Sequence, residues 1–300
     1  MKYVSPYVIV LPMSTIIPSG NSIQAHSTVA LENKGYLSLH FIGTGSAFTK
    51  KLYQNNLLVV KGPDHVLIDC GTRTPEALSR LGLSVLTIKN YLITHSHADH
   101  IGGLEEVMLM NRYVSKSKPT MIAPATYRRY LWDKSLKGGA AYNEKVNGQW
   151  LGFDDFWNVL EPLPVPGAGR ELSEIQLGSI KLAMFRTMHI PDSAPSWRSS
   201  APSYGVVIDD SILFTGDTRF DPGLLTFLQE RYELKAIFHD CQFFDGGVHA
   251  SIHELETLPA ETKAKMWLMH YGDAVETQSE NVRALGFACF AKQWEPFDYH

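Results

Sequence analysis

The chain has 300 residues, of which 44% are hydrophobic and 19% are charged. This composition excludes a disordered, collagen-like or coiled-coil protein, because globular domains typically contain about 45–50% apolar and about 25% charged residues. The formal net charge is −4, which argues against a protein that binds nucleic acid through its overall charge. The composition therefore predicts a compact globular protein.

The cysteines and the N-terminal segment indicate the cellular compartment in which the protein is expected. The three cysteines, Cys70, Cys241 and Cys289, are too few and too scattered for a disulfide framework or a thiolate zinc site. The apolar run at 8–11 has prolines on both sides, and no later segment approaches the roughly 20 apolar residues that a membrane span needs. We expect a cytoplasmic protein without a membrane partner.

Short β-rich runs alternate with turns from residue 37 onward. Helical periodicity follows His100 and recurs at 75–81 and 280–285. Strands interleaved with helices indicate an α/β layered domain, predicted to span 37–300 with an insert at about 112–170, after an extended arm at 1–36. The predicted strands are Leu37–Ile42, Asn56–Val60, Val66–Asp69, Tyr91–Thr94, Lys181–His189, Tyr204–Ile208, Ile212–Thr215, Ala236–His239 and Lys265–His270.

One short segment carries most of the metal-binding potential. Its pattern is HxHxDH, formed by His95, His97, Asp99 and His100 directly after an apolar strand. On an extended strand end His95 and His97 point to the same side, because side chains alternate along a strand. Asp99 and His100 follow where the chain turns into a helix. The ordered spacing favours two adjacent metal sites that share one loop over a merely His-rich surface loop.

A zinc ion needs more ligands than one loop supplies, so further ligands should lie at other strand ends. His189 and His270 each end a predicted strand, and Asp217 follows the strand at 212–215. Taken alone, each such residue is more often structural than a ligand. With the HxHxDH segment they form a candidate set of seven metal ligands: His95, His97, Asp99, His100, His189, Asp217 and His270.

These motifs together resemble the metallo-β-lactamase superfamily and, within it, the ribonuclease Z-like phosphodiesterases. The resemblance covers about residues 38–272 and includes the runs Phe41–Ala47 and Leu67–Gly71. It implies a four-layer αββα sandwich that binds two zinc ions, with manganese as an alternative metal. One ion would be held by His95, His97 and His189, the other by Asp99, His100 and His270, with Asp217 bridging the two. Asp69 would orient a ligand imidazole.

The same resemblance implies a proton donor. In ribonuclease Z-like enzymes an acidic run is followed by a histidine that protonates the leaving oxygen, and His249, about twenty residues before His270, takes that position here. His253 is the alternative, because a helix over 251–258 would place both imidazoles on one face. We predict that His249 is the general acid, and that Asp99 is catalytic as well as a ligand.

Substrate predictions depend on the segments around these motifs. Ribonuclease Z proper carries a basic arm for transfer RNA after its third ligand motif, whereas only 191–203 follow His189 here, so a large RNA is not expected. The segment Arg112–Lys137 carries seven basic residues and one acidic residue, which either draw anions to the metals or form a solvated face. Two roles are open for the aromatic residues of the insert, stacking on a nucleobase or packing a local core. These residues are Tyr127, Tyr130, Trp132, Tyr142, Trp150, Phe153, Phe156 and Trp157.

The sequence therefore predicts a dinuclear zinc phosphodiesterase that acts, as a homodimer, on a small anionic nucleotide phosphoester. The ribonuclease Z-like enzymes without the RNA arm include the phage-type anti-Pycsar phosphodiesterases, which hydrolyse cyclic nucleotides, and the chain is similar to them in layout. One alternative is a lactonase or thioesterase, which would not require His249. Others are ribonuclease Z-like processing of RNA 3′ ends and a non-catalytic metal-binding interaction protein, against which the full ligand set argues.

Overall fold

A computed structural model describes residues 29–140 and 144–300. The predicted arm at 1–36 therefore lies outside the described residues as far as residue 28. Its last part lies against the body of the protein, where Val29 and Leu31 pack on the hydrophobic core. The Asn33 side chain accepts a hydrogen bond from the Gly62 N–H at 2.8 Å, which attaches this segment to the turn between two strands.

The described residues form two large β-sheets and one separate hairpin. The bounds of the strands, in chain order, are β1 (Leu37–Gly43), β2 (Asn56–Lys61), β3 (Asp64–Ile68), β4 (Asn90–Leu92), β5 (Thr120–Ile122), β6 (Lys145–Val146), β7 (Gln149–Trp150), β8 (Asn158–Leu160), β9 (Leu163–Pro164), β10 (Leu172–Leu177), β11 (Ile180–Arg186), β12 (Tyr204–Ile208), β13 (Ile212–Phe214), β14 (Ala236–Asp240), β15 (Met266–Met269), β16 (Cys289–Phe290) and β17 (Pro296–Tyr299).

The strand order places several carboxyl ends at common sheet edges. The first sheet has the order β17-β1-β2-β3-β4-β5-β8, and the second has the order β16-β15-β14-β13-β12-β11-β10-β9. Strands β13, β14 and β15 are parallel neighbours in the second sheet, and β3, β4 and β5 are parallel in the first. Residues that follow these parallel strands therefore emerge side by side.

Helices cover the sheets, and two of them begin with a clear sequence signal. The Asp221 side chain caps the sixth helix by accepting from the Leu224 N–H at 3.0 Å, and Ser251 with Glu254 forms a capping box on the seventh. No helix among the described residues has the length and apolarity that crossing a bilayer requires. The bounds are α1 (Thr74–Arg80), α2 (Ala98–Ile101), α3 (Leu104–Met110), α4 (Ala125–Leu131), α5 (Lys137–Ala140), α6 (Pro222–Gln229), α7 (Ile252–Glu256), α8 (Ala260–Lys263) and α9 (Ser279–Ala284).

The core lies between the sheets, with a second apolar layer beneath the helices of the second sheet. Phe41 of β1 contacts Phe238 of β14 across the interface, with ring centroids 5.1 Å apart. Neighbouring residues of β12 point to opposite layers, since Val206 belongs to the central core and Val207 to the helix-facing cluster that includes Leu228. Each such buried side chain contributes about 1.5–3 kcal/mol. The predicted four-layer αββα sandwich is confirmed.

The predicted strands are present with small shifts at their ends. The strand expected to reach His189 ends at Arg186, so His189 lies in the following loop. The short strands at 120–122, 158–160 and 296–299 were not predicted, because runs of three or four residues carry too little periodicity.

The segment 112–170, for which the sequence predicts an insert, is integrated into the sandwich. Its strands β5 and β8 extend the first sheet. The buried aromatic side chains of the insert, Tyr127, Trp132, Phe153, Phe156 and Trp157, belong to the main core, which favours their packing role over nucleobase stacking. Tyr130 and Trp150 are exposed, and Tyr142 lies outside the described residues.

Candidate metal centre

The HxHxDH loop, residues 94–103, connects β4 to α3 and includes the short helix α2. The segment that follows β3 supports it, because the Cys70 N–H donates to the His100 carbonyl at 2.8 Å and the Gly103 N–H donates to the Cys70 carbonyl at 2.9 Å. Gly71 is required at this contact, since a Cβ there would lie 2.0 Å from the Asp99 carbonyl oxygen. The loop is thus held in place by backbone contacts with a buried strand end.

The first cluster of candidate ligands joins the loop to the second sheet. His95 Nε2 lies 3.0 Å from His97 Nδ1, and His189 Nε2 lies 3.2 Å from the same atom. Both Nε2 atoms are 3.8 Å from Asp217 Oδ2. Ligand atoms about 2.0–2.1 Å from a tetrahedral zinc lie about 3.3 Å from one another. The four residues could therefore hold one divalent ion.

The second cluster contains Asp99, His100, His270 and again Asp217. His100 Nε2 lies 3.2 Å from both Asp99 Oδ2 and Asp217 Oδ2. His270 Nε2 lies 3.2 and 3.3 Å from the same two oxygens. All four side chains are buried, and His270 adopts the left-handed backbone conformation with φ 59°, which non-glycine residues adopt mainly where the surrounding structure imposes it. This spacing also suits one divalent ion.

Asp217 belongs to both clusters, and its buried carboxylate needs a neighbouring cation. Both of its carboxylate oxygens are buried without a hydrogen-bond partner among the described residues, as is His100 Nε2. A buried carboxylate in that state is strongly unfavourable unless a metal or another cation neutralises it. Gly216, at φ +59°, sets the turn, since a Cβ there would lie 2.6 Å from the Tyr204 carbonyl oxygen. The donor atoms therefore fit divalent metal binding.

Groups behind the candidate ligands orient the imidazoles. Asp69 Oδ2 lies 2.7 Å from His100 Nδ1 and accepts from the Thr94 hydroxyl at 2.7 Å. The Val248 carbonyl accepts from His189 Nδ1 at 2.8 Å. These contacts occupy Nδ1 and leave Nε2 facing the cluster. Asp69 therefore lies where the family resemblance implies an orienting carboxylate. His97 is the exception, because its Nδ1 faces the cluster.

The charges of the two clusters differ. Burial lowers the pKa of His189 to about 4, so its imidazole is neutral at physiological pH, the form that binds metal. Burial also opposes protonation of His270, yet the Asp217 and Asp240 carboxylates raise its pKa to about 10. The second cluster thus attracts positive charge strongly enough to hold a proton when no metal is bound. A divalent ion would replace that proton.

His249 lies at the edge of the second cluster. Its Nδ1 is 2.7 Å from Asp240 Oδ2, and its ring stacks on that of His270, with centroids 4.7 Å apart and an interplanar angle of 28°. Burial lowers the pKa of His249, but the Asp240 carboxylate more than offsets this, so the pKa lies above its ordinary value. With Nδ1 directed at Asp240, Nε2 is the nitrogen available to a bound molecule.

His253 occupies a different environment. Helix α7 begins at Ile252 with Ser251 as its N-cap, so His249 precedes the helix and the two imidazoles do not share a helical face. His253 Nδ1 lies 2.9 Å from Asp245 Oδ1, and the two side chains are 63% and 70% exposed. Because both side chains are exposed, this contact contributes little to stability.

The basic residues of the insert are mostly engaged in local pairs. Arg112 pairs with Glu144 at 3.1 Å, Arg128 with Glu161 at 3.4 Å, and Arg129 with Asp133 at 3.7 Å. Lys118 donates to the Asp154 carbonyl at 2.6 Å. None of the predicted basic residues lines the cavity beside His249 and His270. These contacts favour the solvated-face interpretation.

Sequence reasoning missed parts of the site that depend on remote contacts. The role of Asp240 as the partner of both His249 and His270 was not assigned, although the residue directly follows the predicted strand Ala236–His239. A cavity lined by Phe48 and Phe244 beside the candidate ligands was not foreseen either. The carbonyl of Val248 has no side-chain signal at all, so only the structure could reveal it.

Two sheets in an αββα sandwich, with His/Asp clusters gathered at their strand ends, define a metallo-β-lactamase-fold protein. The fold of the chain is similar to that of the metallo-β-lactamase-fold protein YhfI from Bacillus subtilis, with a TM-score of 0.62, 16% identity and coverage of 88% of this chain and 100% of that one. A diphosphatase of the PhnP family matches with a TM-score of 0.66, 16% identity and coverage of 88% and 98%. The short form of human tRNase Z matches with a TM-score of 0.55, 18% identity and coverage of 87% and 98%.

Sequence comparison then identifies the family within this fold. The family model of the anti-Pycsar protein Apyc1 matches residues 37–297. The Apyc1 protein of Bacillus phage BSP38 is 38% identical over 259 residues, covering 83% of this chain and 94% of that protein. The Apyc1 protein of Paenibacillus harenae is 36% identical over 241 residues, covering 80% and 92%. The chain belongs to the anti-Pycsar Apyc1 family, as its motifs suggested.

Proposed function

We propose that this protein is a dinuclear zinc-dependent phosphodiesterase that hydrolyses a small nucleotide phosphoester, namely a cyclic nucleotide, with His249 as general acid. Membership of the Apyc1 family supports this proposal, as do the two ligand clusters that share Asp217. Manganese is the alternative metal. We further propose that the protein acts in the cytoplasm as a homodimer.

The observation that carries the proposal is the Asp240–His249 pair beside the second cluster. A short contact of 2.7 Å fixes Nδ1 of His249 on the carboxylate, and stacking on His270 fixes the plane of the ring. The imidazole side chain is 23% exposed and lines an open cavity. A histidine held in this way can present an Nε2 proton to a bound molecule.

The residues of the chain have separate tasks in the proposed reaction. The candidate ligands, oriented by Asp69 and by the Val248 carbonyl, would hold two divalent ions, which supply an activated water and neutralise a phosphoryl oxygen. Asp240 accepts a hydrogen bond from Nδ1–H of His249 and raises its pKa, so it favours the doubly protonated imidazolium, which also carries a proton on the Nε2 that faces the cavity. His249 Nε2 donates this proton to the leaving ribose oxygen as its bond to phosphorus breaks. Asp99 contributes through the second cluster, where it faces both His100 and His270.

The leaving group provides the test. A ribose alkoxide is a poor leaving group that needs a proton, and general-acid assistance of this kind is worth about 10²–10⁴ in rate. Nitrophenolate leaves without one. We expect His249→Ala to lower kcat for a cyclic nucleotide by about 10²–10⁴ while retaining most of the activity on bis-nitrophenyl phosphate and its full metal content. Steady-state kinetics on both substrates, with elemental analysis, measures this.

His253→Ala is the matched control, because it removes an exposed imidazole four residues away that pairs with Asp245. It should leave both activities within about twofold of the wild type. A leaving-group-dependent loss in His253→Ala but not in His249→Ala would move the proton donor to His253. Equal effects on both substrates in both variants, together with lactone hydrolysis by the wild type, would replace the phosphodiesterase proposal with the lactonase alternative.

A further inference from the structure

A cavity of about 330 Å³ lies directly beside the candidate metal centre. His249 and His270 form one wall, and the remaining walls include Ser46, Phe48, Phe243 and Phe244. Small-molecule sites in proteins measure about 300–1,000 Å³, so this cavity suits one small ring system rather than an extended polymer. The cavity opens onto His249, the proposed proton donor. A group that fills the cavity therefore belongs to the same molecule as the ester on which His249 acts.

Two phenylalanine rings at this cavity are unusually exposed. Phe48 is 86% exposed and Phe244 is 65% exposed. Burying a phenylalanine side chain contributes about 1.5–3 kcal/mol, and neither ring obtains much of that contribution in the free protein. Single exposed apolar residues are common on protein surfaces. Here, however, two of them, from loops far apart in sequence, line one cavity beside a candidate catalytic centre, so a shared ligand accounts for both.

The loop that carries Phe48 is firmly held. The Asp273 carboxylate accepts from the Lys50 N–H at 2.9 Å and the Lys51 N–H at 3.1 Å, and also from the Thr49 hydroxyl. The Ser46 N–H donates to the Tyr271 carbonyl at 3.0 Å. Asp273 and Tyr271 directly follow the candidate ligand His270, so Phe48 is positioned relative to the metal centre.

The loop that carries Phe244 is organised in a similar way. The Gln242 side-chain amide donates to the Phe244 carbonyl at 2.9 Å and to the Gly246 carbonyl. This loop leads directly to His249, so both aromatic rings are presented by segments that also carry residues of the candidate centre.

We propose that Phe48 and Phe244 form the base-binding site and stack on the nucleobase of the nucleotide whose phosphate lies at the metal centre. This inference rests on the proposed phosphodiesterase function and extends it to the recognition of substrate. An aromatic ring binds a base through its face, and loss of such a contact costs about 1–3 kcal/mol, which corresponds to about 5- to 100-fold in affinity. The stacking contact stabilises the bound substrate and the transition state equally. Its loss therefore raises KM and leaves kcat unchanged.

Removing each ring tests the proposal on substrates with and without a base. We expect Phe48→Ala and Phe244→Ala to raise KM for a 3′,5′-cyclic nucleotide by about 5- to 100-fold, with kcat within about twofold. For methyl riboside 3′,5′-cyclic phosphate, which carries a methoxy group in place of the base, KM should change by less than about twofold. An equal rise in KM for both substrates would overturn the proposal, and so would no rise for either.

Substitutions at Phe48 separate stacking from simple apolar contact. Phe48→Tyr keeps the ring and should retain KM near the wild-type value, whereas Phe48→Leu keeps apolar bulk without a ring and should behave like Phe48→Ala. Full activity in Phe48→Leu would show that the cavity takes an alkyl group, which contradicts base stacking. Trp150→Ala is the matched control, because this ring is 57% exposed on the β6–β7 hairpin of the insert and should affect neither substrate.

Kinetics of the wild-type protein distinguish failure of the base-site proposal from failure of the proposed phosphodiesterase function. If the wild type hydrolyses neither the cyclic nucleotide nor the base-free ester, the phosphodiesterase proposal fails and the base site fails with it. If the wild type hydrolyses both esters with the same KM, the function stands and the base contributes nothing, so only the base site is wrong. The folded state of each variant is checked by its melting temperature, which loss of an exposed ring should leave nearly unchanged.

Discussion

At the scale of single residues, Asp217 connects the parts of the candidate centre. Its Oδ2 lies within 3.2–3.8 Å of imidazole nitrogens from both clusters. Both of its oxygens lack a hydrogen-bond partner among the described residues. The same carboxylate thus faces candidate ligand nitrogens of both clusters, whereas Asp99 faces those of the second cluster.

We predict that Asp217→Ala loses both metal ions and activity together, because this substitution removes a donor from each cluster. Elemental analysis of the protein as purified should find about two divalent ions per chain in the wild type and less than one in the variant. Asp245→Ala removes an exposed carboxylate that pairs with His253 of α7 and with none of the candidate ligands, and it should retain the wild-type metal content. Two ions retained in Asp217→Ala, or one ion or fewer in the wild type, would contradict the shared-ligand arrangement.

At the scale of structural elements, the segment after β15 links the metal centre to the cavity. His270 directly follows this strand, and three residues later Asp273 accepts hydrogen bonds from the backbone of the loop at 46–52. The hydrogen bond from the Thr49 hydroxyl lowers the pKa of Asp273, so the carboxylate stays charged at neutral pH. One short stretch therefore positions both a candidate ligand and the Phe48 ring.

We predict that Asp273→Ala raises KM for a cyclic nucleotide in the same direction as Phe48→Ala, because release of the loop removes the ring from its position. The double variant should be no worse than Phe48→Ala alone, since both changes abolish one contact. Lys51→Ala is the control, because its ion pair with Glu276 is exposed and worth less than about 1 kcal/mol. Additive effects in the double variant would show that Asp273 acts independently of Phe48.

At the scale of the whole molecule, charge is distributed unevenly, with a basic segment at 112–137 in a chain of net charge −4. Acidic residues of the same insert, among them Glu144 and Glu161, pair with part of it. Exposed pairs of this kind are weak and are screened by salt. Long-range attraction of an anionic substrate by this segment is therefore reduced.

We predict that the double substitution Arg128→Gln with Arg129→Gln changes kcat/KM for a cyclic nucleotide by less than about twofold, at low and at high ionic strength alike. Steered association depends steeply on salt, so measurements from about 10 to 300 mM salt decide the matter. A loss at low salt that disappears at high salt would show that the segment attracts the substrate. An equal loss for a neutral lactone would instead indicate a folding defect.

The sequence by itself determined the types of the candidate ligands and an α/β layered fold. Alternation along β4 and the turn into α2 are local properties, so the relation of His95 and His97 to Asp99 and His100 could be derived from spacing alone. His189, Asp217 and His270 were found because polar residues at the ends of apolar strands interrupt a strong local pattern. The family resemblance then supplied the sandwich that brings these ends together.

Only the tertiary structure decided which groups surround those residues. The contact between Asp240 and His249 joins residues nine positions apart through a glycine-containing loop, and Phe48 meets the residues after β15 across more than two hundred positions. The integration of the insert into the first sheet also depends on pairing between β5 and β8. Such contacts arise from the packing of remote segments, which leaves no periodic trace in the sequence, whereas the candidate metal ligands lie at or shortly after strand ends that local patterns mark.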